Sequence, residues 1–231
     1  MKAQLEERED LTGQGSLFRD RQDAGEALAQ RLEHHRGAHP LVLGLPRGGV
    51  PVAAKVARAL DADLDVVVSR KLGSPVSAEL AIGAVTANGG RFLNDDVIRV
   101  LNVSEAYLTA VTATQQAEAR RREALFRGSR PAPVIAGRTV ILVDDGLATG
   151  ATMRAAVRSV RQQQPQRLVV AVPVGSPEAC AALRAEVDEV VCLYEPSDFG
   201  AVGLYYRDFT PTQDSDVQAL LRESAGAASP R

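Results

Sequence analysis

The chain has 231 residues, of which 45% are hydrophobic, so it is long enough to bury a substantial core without disulfides. A formal net charge of −2 and a pI near 6.0 give no electrostatic footprint for nucleic acid or an anionic membrane. No apolar run approaches the roughly 18 residues of a membrane span, and the first residues lack a signal peptide's apolar core. Cys180 and Cys192 form no metal-ligand pattern, so we expect reduced cysteines in a cytoplasmic protein.

The chain is predicted to begin with a flexible lead-in and a helix. Residues 1–16 are charged and interrupted by glycines, which is typical of a flexible segment. From Asp20 to about His35, apolar residues recur at spacings of four along one face, which predicts a helix. Three histidines near its end are interpreted as helix-end cations, not as metal ligands or catalytic groups: His34, His35 and His39.

The first buried strand is predicted at residues 41–45. It runs into Pro46-Arg47-Gly48-Gly49, which precedes a helix that ends near residue 60. A loop with one arginine and two glycines, between a strand and a helix N-terminus, is an arrangement that binds anions. Arg47 could equally be a solvated surface charge, so the loop by itself leaves both interpretations open.

A second strand is predicted at residues 65–69, and it ends in two adjacent cations, Arg70 and Lys71. Farther along, Asn88-Gly89 separates two short β-type runs at residues 84–86 and 91–93. Asn-Gly between such runs is the strongest short-range signal of a hairpin. Glu79 lies between these features and could pair with one of the two cations, but the sequence does not decide which.

Two helices are predicted next. A short one follows Asn94, to about residue 101, and a long one follows Ser104, from residue 105 to about 127. Four arginines crowd the second half of the long helix, where cations suit the helix dipole: Arg120, Arg121, Arg122 and Arg127. We interpret them as a solvated or subunit-contact face, with a phosphate contact as the less favoured alternative.

Residues 139–152 combine a strand, an acidic pair, a loop and a helix start. Thr139 to Val143 form an apolar, β-branched run typical of a strand buried on both faces. Asp144 and Asp145 follow, then a loop with two glycines and two threonines, and a helical pattern from residue 153 to about 163. This order predicts an anion site at a helix N-terminus with two carboxylates beside it.

The loop has the chemistry of a phosphate monoester site. Gly146 and Gly150 allow close approach of the backbone, so the amides of residues 148–152 can point at a ligand. Thr149 and Thr152 add hydroxyl donors, whereas the lysine of triphosphate-binding loops and the Gly-x-Gly-x-x-Gly dinucleotide fingerprint are missing. If the chain turns after the strand, the two carboxylates suit sugar hydroxyls, a hydrated Mg²⁺, or both.

The rest of the chain continues the alternation of strands and helices and then departs from it. Strands are predicted at residues 167–173 and 189–193, with a helix from Ser176-Pro177 to about residue 185. This alternation predicts a parallel sheet covered on both faces. Residues 194–209 hold five of the nine aromatic residues, which could pack a loop or stack on a planar ligand. A terminal helix is predicted at about 213–222, and a flexible tail at 223–231.

Residues 140–152 strongly resemble the loop that binds phosphoribosyl diphosphate (PRPP) in the type I phosphoribosyltransferases. The resemblance implies an α/β fold: a three-layer α/β/α sandwich with a mainly parallel sheet, one antiparallel strand supplied by the hairpin, and a small hood. It implies a single domain at residues 17–222, with the hood formed by about 194–209 and the N-terminal helix. From Phe18 to Phe209, the arrangement is similar to an uncharacterised branch of predicted bacterial phosphoribosyltransferases.

The resemblance also implies roles for particular residues. Asp144 and Asp145 would hold the ribose hydroxyls and act in catalysis, and Mg²⁺ would be held mainly by PRPP, with these carboxylates as candidate ligands. The amides of Arg47, Gly48 and Gly49 would hold the pyrophosphate near a non-proline cis peptide at Pro46-Arg47, and Arg47 would be catalytic. The 5′-phosphate loop would comprise Gly146, Leu147, Ala148, Thr149, Gly150, Ala151 and Thr152.

By the same resemblance, a mobile loop near Arg70 and Lys71 would close over the leaving pyrophosphate, with Lys71 as its catalytic cation and Arg70 as a further candidate. Two solvated cations at a strand end are the alternative. The hood would bind the acceptor through aromatic side chains, for which the candidates are Phe199, Tyr205 and Tyr206.

The expected function is therefore a Mg²⁺-dependent pentosyltransferase of nucleotide metabolism. It would transfer a 5-phosphoribosyl group from PRPP to a nucleobase-like nitrogen acceptor and release pyrophosphate. A catalytically silent PRPP-responsive regulator on the same fold is the main alternative. A phosphatase or nucleotide-sugar enzyme is a weaker one, because it leaves the Arg47 loop without a role. We expect no nucleic-acid or membrane partner, and either a monomer or a homodimer.

Overall fold

The computed structural model describes residues 17–227, and it contains two separate sheets. The larger is a five-stranded parallel sheet in the order β2-β1-β6-β7-β8, and the smaller is an antiparallel sheet in the order β3-β4-β5. The strands are β1 (Leu41–Gly44), β2 (Asp63–Val66), β3 (Ser69–Gly73), β4 (Ala81–Thr86), β5 (Arg91–Leu93), β6 (Thr139–Val143), β7 (Arg167–Val174) and β8 (Glu189–Tyr194).

Three helices begin at the N-cap residues that the sequence predicts. The side chains of Asn94, Ser104 and Ser176 each accept a hydrogen bond from a backbone amide in the first turn of the following helix. The α-helices are α1 (Arg21–Arg31), α2 (Gly49–Leu60), α3 (Asp95–Val100), α4 (Glu105–Arg127), α5 (Ala151–Arg161), α6 (Pro177–Arg184) and α7 (Asp214–Ala227). Short 3₁₀ helices lie at Glu33–His35 and Val202–Tyr205.

The parallel sheet is covered by helices on both faces. Alternate residues of each strand point to opposite sides, so Leu43 and Leu142 pack against α5 and α6, whereas Val42 and Ile141 pack against α2 and α7. All four of these side chains are buried. The predicted three-layer α/β/α sandwich with a mainly parallel sheet is therefore confirmed.

The hairpin at Asn88-Gly89 is confirmed, but its place in the fold was predicted wrongly. Gly89 has a φ of 87° and β4 pairs with β5 in antiparallel fashion, as expected for such a turn. The hairpin joins β3 in a sheet of its own and adds no strand to the parallel sheet. The reason is that β3 and β5 occupy the two edges of β4, while helices cover both faces: Val85 packs against Leu108 of α4, and Ala84 packs against α5.

A related correction concerns residues 65–69, which do not form one strand. The strand β2 ends at Val66 and β3 begins at Ser69, so the chain changes sheets between these two residues. Arg70 and Lys71 consequently lie within β3, where a mobile loop was expected to begin. The irregular segment follows β3 and is held by a hydrogen bond from the Ser74 amide to the Leu80 carbonyl.

The arginines of α4 form internal and surface ion pairs. Arg127 lies 3.0 Å from the buried carboxylate of Asp65 on β2 and 2.8 Å from Glu123 one turn away. The Arg120 Nε donates to the Ala87 carbonyl at 3.0 Å. These contacts favour the interpretation of a packed and solvated helix face over a phosphate contact.

A lead-in and a terminal helix with a tail were predicted at the two ends of the chain. The lead-in expected at residues 1–16 lies outside the described residues. The helix α7 continues to Ala227, beyond the predicted end at residue 222, so the predicted tail starts too early. Within residues 17–227, no helix has the length and apolar character needed to cross a membrane.

Candidate active site

The candidate site lies where β1 and β6 run side by side in the parallel sheet. Gly44 pairs with Val143, so the two strands end at the same level. The chain leaves β1 toward β2 on one side and leaves β6 toward β7 on the other, which makes this the topological switch point. In open α/β sheets, ligands bind at such a point, outside the carboxyl ends of the strands. We call residues 45–48 the β1 loop and residues 144–150 the β6 loop.

The β1 loop presents backbone amides at the start of α2. The peptide bond between Pro46 and Arg47 is cis, as the family resemblance implied. The Gly49 amide donates to the Leu45 carbonyl at 3.0 Å and is therefore already occupied. Within residues 17–227, the amides of Arg47 and Gly48 donate to no protein acceptor. Two of the three predicted pyrophosphate-binding amides thus remain available for a ligand.

The β1 loop touches the acidic pair closely enough that only glycine fits. A Cβ atom at Gly48 would lie 2.0 Å from Oδ2 of Asp145, and one at Gly49 would lie 2.8 Å from Cα of Asp144. The chain also turns after β6, because the Asp145 amide donates to Oδ1 of Asp144 at 2.9 Å. Both carboxyl groups therefore border the β1 loop and do not point to opposite faces of the sheet.

Burial raises the pKa of both aspartates. The pKa of Asp144 lies well above its usual range because of desolvation and the adjacent charge of Asp145. Burial also raises the pKa of Asp145, but the guanidinium of Arg21 opposes this effect. The Arg21 Nε donates to Oδ2 of Asp145 at 2.8 Å, and the Arg21 side chain is only 11% exposed.

The β6 loop opens the helix α5 with free amides. Gly150 has a φ of 74°, and the Arg154 amide makes the first helical bond to its carbonyl, at 2.8 Å. The amides of residues 151–153 therefore have no partner inside the helix and point outward from its N-terminus. Leu147 differs from the rest of the loop, since its side chain is buried and its amide donates to the Val174 carbonyl at 2.9 Å. The Leu147 amide is therefore occupied, whereas the amides at the start of α5 are open.

Arg70 and Lys71 point to opposite faces of β3. Arg70 is directed at α4, where its Nε donates to Gln115 at 3.2 Å. Lys71 is exposed and shares its face with Ser69, whose hydroxyl donates to the Thr152 carbonyl at 3.0 Å. The strand therefore presents Lys71, and not Arg70, on the side of the phosphate cradle.

The three hood candidates divide into two kinds. Tyr206 is only 4% exposed, and its hydroxyl donates to the backbone carbonyl of Asp145 at 2.5 Å. Phe199 and Tyr205 are half-buried and stack on each other, with ring centroids 5.7 Å apart. The burial of its ring and the bound hydroxyl disfavour the prediction that Tyr206 stacks on the acceptor.

Arg21 is the functional candidate that the sequence reasoning missed. Besides Asp145, its guanidinium donates to the Thr210 carbonyl at 2.9 Å and lies 3.9 Å from the ring centroid of Phe209. One local signal could have identified it. A cation in the first turn of a helix is opposed by the helix dipole, and Arg21 is the first residue of α1.

The histidines lie away from this site. His34 and His35 contact the two carboxylate oxygens of Glu189 at 3.0 and 3.1 Å, at the amino end of β8. Burial lowers the pKa of His35. Cys180 and Cys192 are free thiols in α6 and β8. Because the candidate site lies at the carboxyl ends of the parallel strands, His34 and His35 lie at the opposite edge of the sheet. Cys180 packs in the same core cluster as Leu147 of the β6 loop.

Comparison with known proteins gives consistent findings. A family model described as "Phosphoribosyl transferase domain" matches residues 15–209. Proteins of two Mycobacterium tuberculosis strains, provisionally named phosphoribosyl transferases, are 49% identical over 205 residues, which is 89% of this chain and 46% of theirs. The chain thus spans about half the length of these relatives. A crystal structure of the Thermus thermophilus protein TT1426 has 49% identity and a TM-score of 0.76, covering 89% of this chain and 98% of the other.

Proposed function

Because the chain belongs to the phosphoribosyl transferase domain family, we propose that it transfers a 5-phosphoribosyl group from PRPP to a nitrogen acceptor and releases pyrophosphate. One observation carries the proposal: the β1 loop, the acidic pair and the open amides of the β6 loop meet at the switch point of the parallel sheet. A cytoplasmic location belongs to the same proposal and is supported by the two free thiols.

The 5′-phosphate binds at the N-terminus of α5. The amides of residues 148–152 donate to its oxygens, and the helix dipole adds roughly half a positive charge at this end. Thr149 is exposed and Thr152 is half-buried, so both hydroxyls can reach a ligand in the loop. The carbonyl of Ala148 is held by the Ser176 hydroxyl at 2.8 Å, which fixes the loop against α6.

Asp144 and Asp145 hold the ribose hydroxyls. In the reaction, the bond from the anomeric carbon to pyrophosphate breaks, the electron pair leaves with pyrophosphate, and a bond to the acceptor nitrogen forms while that nitrogen loses its proton. Positive charge develops on the ribose ring, and two partly buried carboxylates next to the ring stabilise it. Positioning and electrostatics therefore carry the reaction, without a covalent intermediate on the protein.

The leaving pyrophosphate is bound from two sides. On one side lie the free amides of Arg47 and Gly48, with the half-exposed Arg47 side chain 3.5 Å from Asp214. On the other side, Lys71 approaches from β3. We assign catalytic roles to Arg47 and Lys71, since both neutralise charge on the leaving group.

A magnesium ion fits the donor set of this site. Carboxylate oxygens are the ligands that Mg²⁺ prefers, and Asp144 and Asp145 supply them beside the proposed pyrophosphate position. Because Arg21 already contacts one oxygen of Asp145, PRPP itself would supply most of the ligands of the magnesium ion. When bound, the ion neutralises phosphate charge and orients the pyrophosphate.

The acceptor binds under the hood, next to Phe199 and Tyr205. These two stacked rings are half-buried, so they present aromatic surface for a planar base. Val202 packs with these rings and against the β6 loop, because a Cβ atom at Gly146 would lie 2.4 Å from its side chain. The acceptor is proposed only as a nucleobase-like nitrogen compound.

The proposal is tested by calorimetric titration of the folded chain with PRPP in the presence of Mg²⁺. Pyrophosphate release is then measured across purine, pyrimidine and non-nucleobase acceptors. We expect saturable PRPP binding and turnover with one acceptor class. Absence of PRPP binding by the folded protein contradicts the proposal.

A second candidate is a regulator that binds PRPP on the same fold without turnover. Such a regulator would keep the loop at residues 144–152 and could dispense with Lys71 and the hood. Tight PRPP binding with no pyrophosphate release across the whole acceptor panel would select this alternative.

A further inference from the structure

Arg21 lies where three parts of the site meet. Its Nε donates to Oδ2 of Asp145, its Nη1 donates to the Thr210 carbonyl, and its guanidinium covers the ring of Phe209. It also borders the β1 loop, because a Cβ atom at Gly48 would lie 3.1 Å from its Nε. One side chain thus contacts the ribose-binding acid, the pyrophosphate loop and the hood.

We infer that Arg21 is a positioning residue for the ribosyl donor, which fixes the Asp145 carboxylate and joins the hood to the donor site. This inference rests on the proposed function. By holding Oδ2, Arg21 fixes the orientation of the Asp145 carboxylate and offsets the repulsion between two adjacent carboxylates. It need not touch the reacting atoms to do so.

The burial of Arg21 separates it from an ordinary surface cation. Its side chain is 11% exposed, whereas Arg19, which precedes α1, is 74% exposed and pairs with Asp23 in the first turn of that helix. A planar guanidinium can donate to two acceptors while stacking on an aromatic ring, and a lysine cannot reproduce all three contacts. The chemistry of position 21 is therefore specific to arginine.

Backbone hydrogen bonds also join the two ends of the domain at the hood. The Phe18 amide donates to the Tyr205 carbonyl at 3.0 Å, and the Arg207 amide donates to the Phe18 carbonyl at 2.8 Å. The rings of Phe18 and Tyr206 pack with centroids 5.6 Å apart, and the Tyr206 hydroxyl holds the Asp145 carbonyl. Hydrogen bonds and ring packing thus connect the hood directly to Asp145.

The test compares Arg21→Gln and Arg21→Lys with the matched control Arg19→Gln. Dissociation constants for PRPP with Mg²⁺ are measured by calorimetry, together with the melting temperature of each variant. We expect Arg21→Gln to weaken PRPP binding roughly 10- to 100-fold, since a charged hydrogen bond is lost. Arg21→Lys should recover part of this loss, and Arg19→Gln should stay within about twofold of the unmodified chain.

A second readout separates positioning from a merely structural role. Asp144 and Asp145 are proposed to hold the ribose hydroxyls, so the preference for ribose 5-phosphate over 2-deoxyribose 5-phosphate reports on their orientation. We expect Arg21→Gln to reduce this preference. A lower melting temperature with unchanged affinities for PRPP and both sugar phosphates would overturn the inference.

The remaining outcomes are also decisive. If the unmodified chain binds PRPP and folded Arg21→Gln binds it equally well, the inference is wrong while the proposed function stands. If the unmodified chain binds no PRPP, the proposed function fails and takes the inference with it. Should Arg21→Gln not fold, Arg21→Lys decides, because an unchanged PRPP affinity in that variant contradicts a need for the guanidinium.

Discussion

The donor loops and the hood are built in different ways. The β1 and β6 loops are short contiguous segments that use backbone amides and glycines, and each follows a buried strand. The hood is assembled from both ends of the domain, where Phe18, Tyr206 and Phe209 pack side by side. A backbone cradle tolerates little change in geometry, whereas an aromatic cluster can be repacked. This difference explains why the sequence predicts particular residues for donor binding but no particular acceptor.

The largest effect is expected from removing the charges of the acidic pair. Asp144→Asn together with Asp145→Asn should weaken PRPP binding by at least about 100-fold, measured by calorimetry, because charged hydrogen bonds to the ribose are lost. The fold should stay intact, which thermal melts check. Unchanged PRPP affinity would show that the acids have another role.

The stability of the same double variant gives an independent check. Both carboxyls have a pKa above the ordinary value, so the folded state holds more protons than the unfolded one as pH rises through that window. Stability contributed by the protonated forms is lost with rising pH. The double variant should therefore lose less stability than the unmodified chain as the pH rises above about 4, the ordinary carboxyl pKa, in thermal melts.

A matched pair of glycine substitutions compares the two regions directly. In Gly48→Ala the new Cβ meets Oδ2 of Asp145 at 2.0 Å, whereas in Gly200→Ala it meets only the flexible end of Leu204 at 3.0 Å. We expect Gly48→Ala to weaken PRPP binding by roughly tenfold or more and to cost about 1–3 kcal/mol of stability. Gly200→Ala should change neither appreciably. Equal effects of the two substitutions would refute the proposed contrast.

Lys71 and Arg70 test the cationic side of the donor site. Lys71→Gln should lower the rate of pyrophosphate release by roughly 10-fold, since a charge near the leaving group is removed. Arg70→Gln serves as the control, because Arg70 contacts Gln115 on the other face of β3. A larger loss in Arg70→Gln than in Lys71→Gln would reverse the assignment.

The smallest effect is expected from Tyr206→Phe, which removes one hydroxyl from the hood. The Asp145 carbonyl loses a hydrogen bond, so the free energy of unfolding should fall by about 1–2 kcal/mol in denaturant titrations. The acceptor specificity should not change, because the ring is buried. A changed order of preference among acceptors would instead return Tyr206 to the acceptor site.

Several local features were predicted correctly because neighbouring residues specify them. Asn94, Ser104 and Ser176 cap helices, and Asn88-Gly89 turns a hairpin. The predictions failed where the chain passes from the parallel sheet to the antiparallel sheet. The sheet to which the hairpin belongs depends on how β3 and β4 pack between α4 and α5, and no local pattern encodes that. For the same reason, Arg70 and Lys71 could not be told apart until the strand face was known.

The amino-acid sequence by itself determined the strand, the acidic pair and the small-residue loop at residues 139–152, because neighbouring residues specify a buried strand and a glycine-containing turn before a helix. Only the tertiary structure decided that Arg21 holds Asp145 and that Tyr206 faces inward, since these contacts join residues from opposite ends of the domain. Such pairings follow from the packing of the whole sheet with its helices. Short-range propensity carries no information about them.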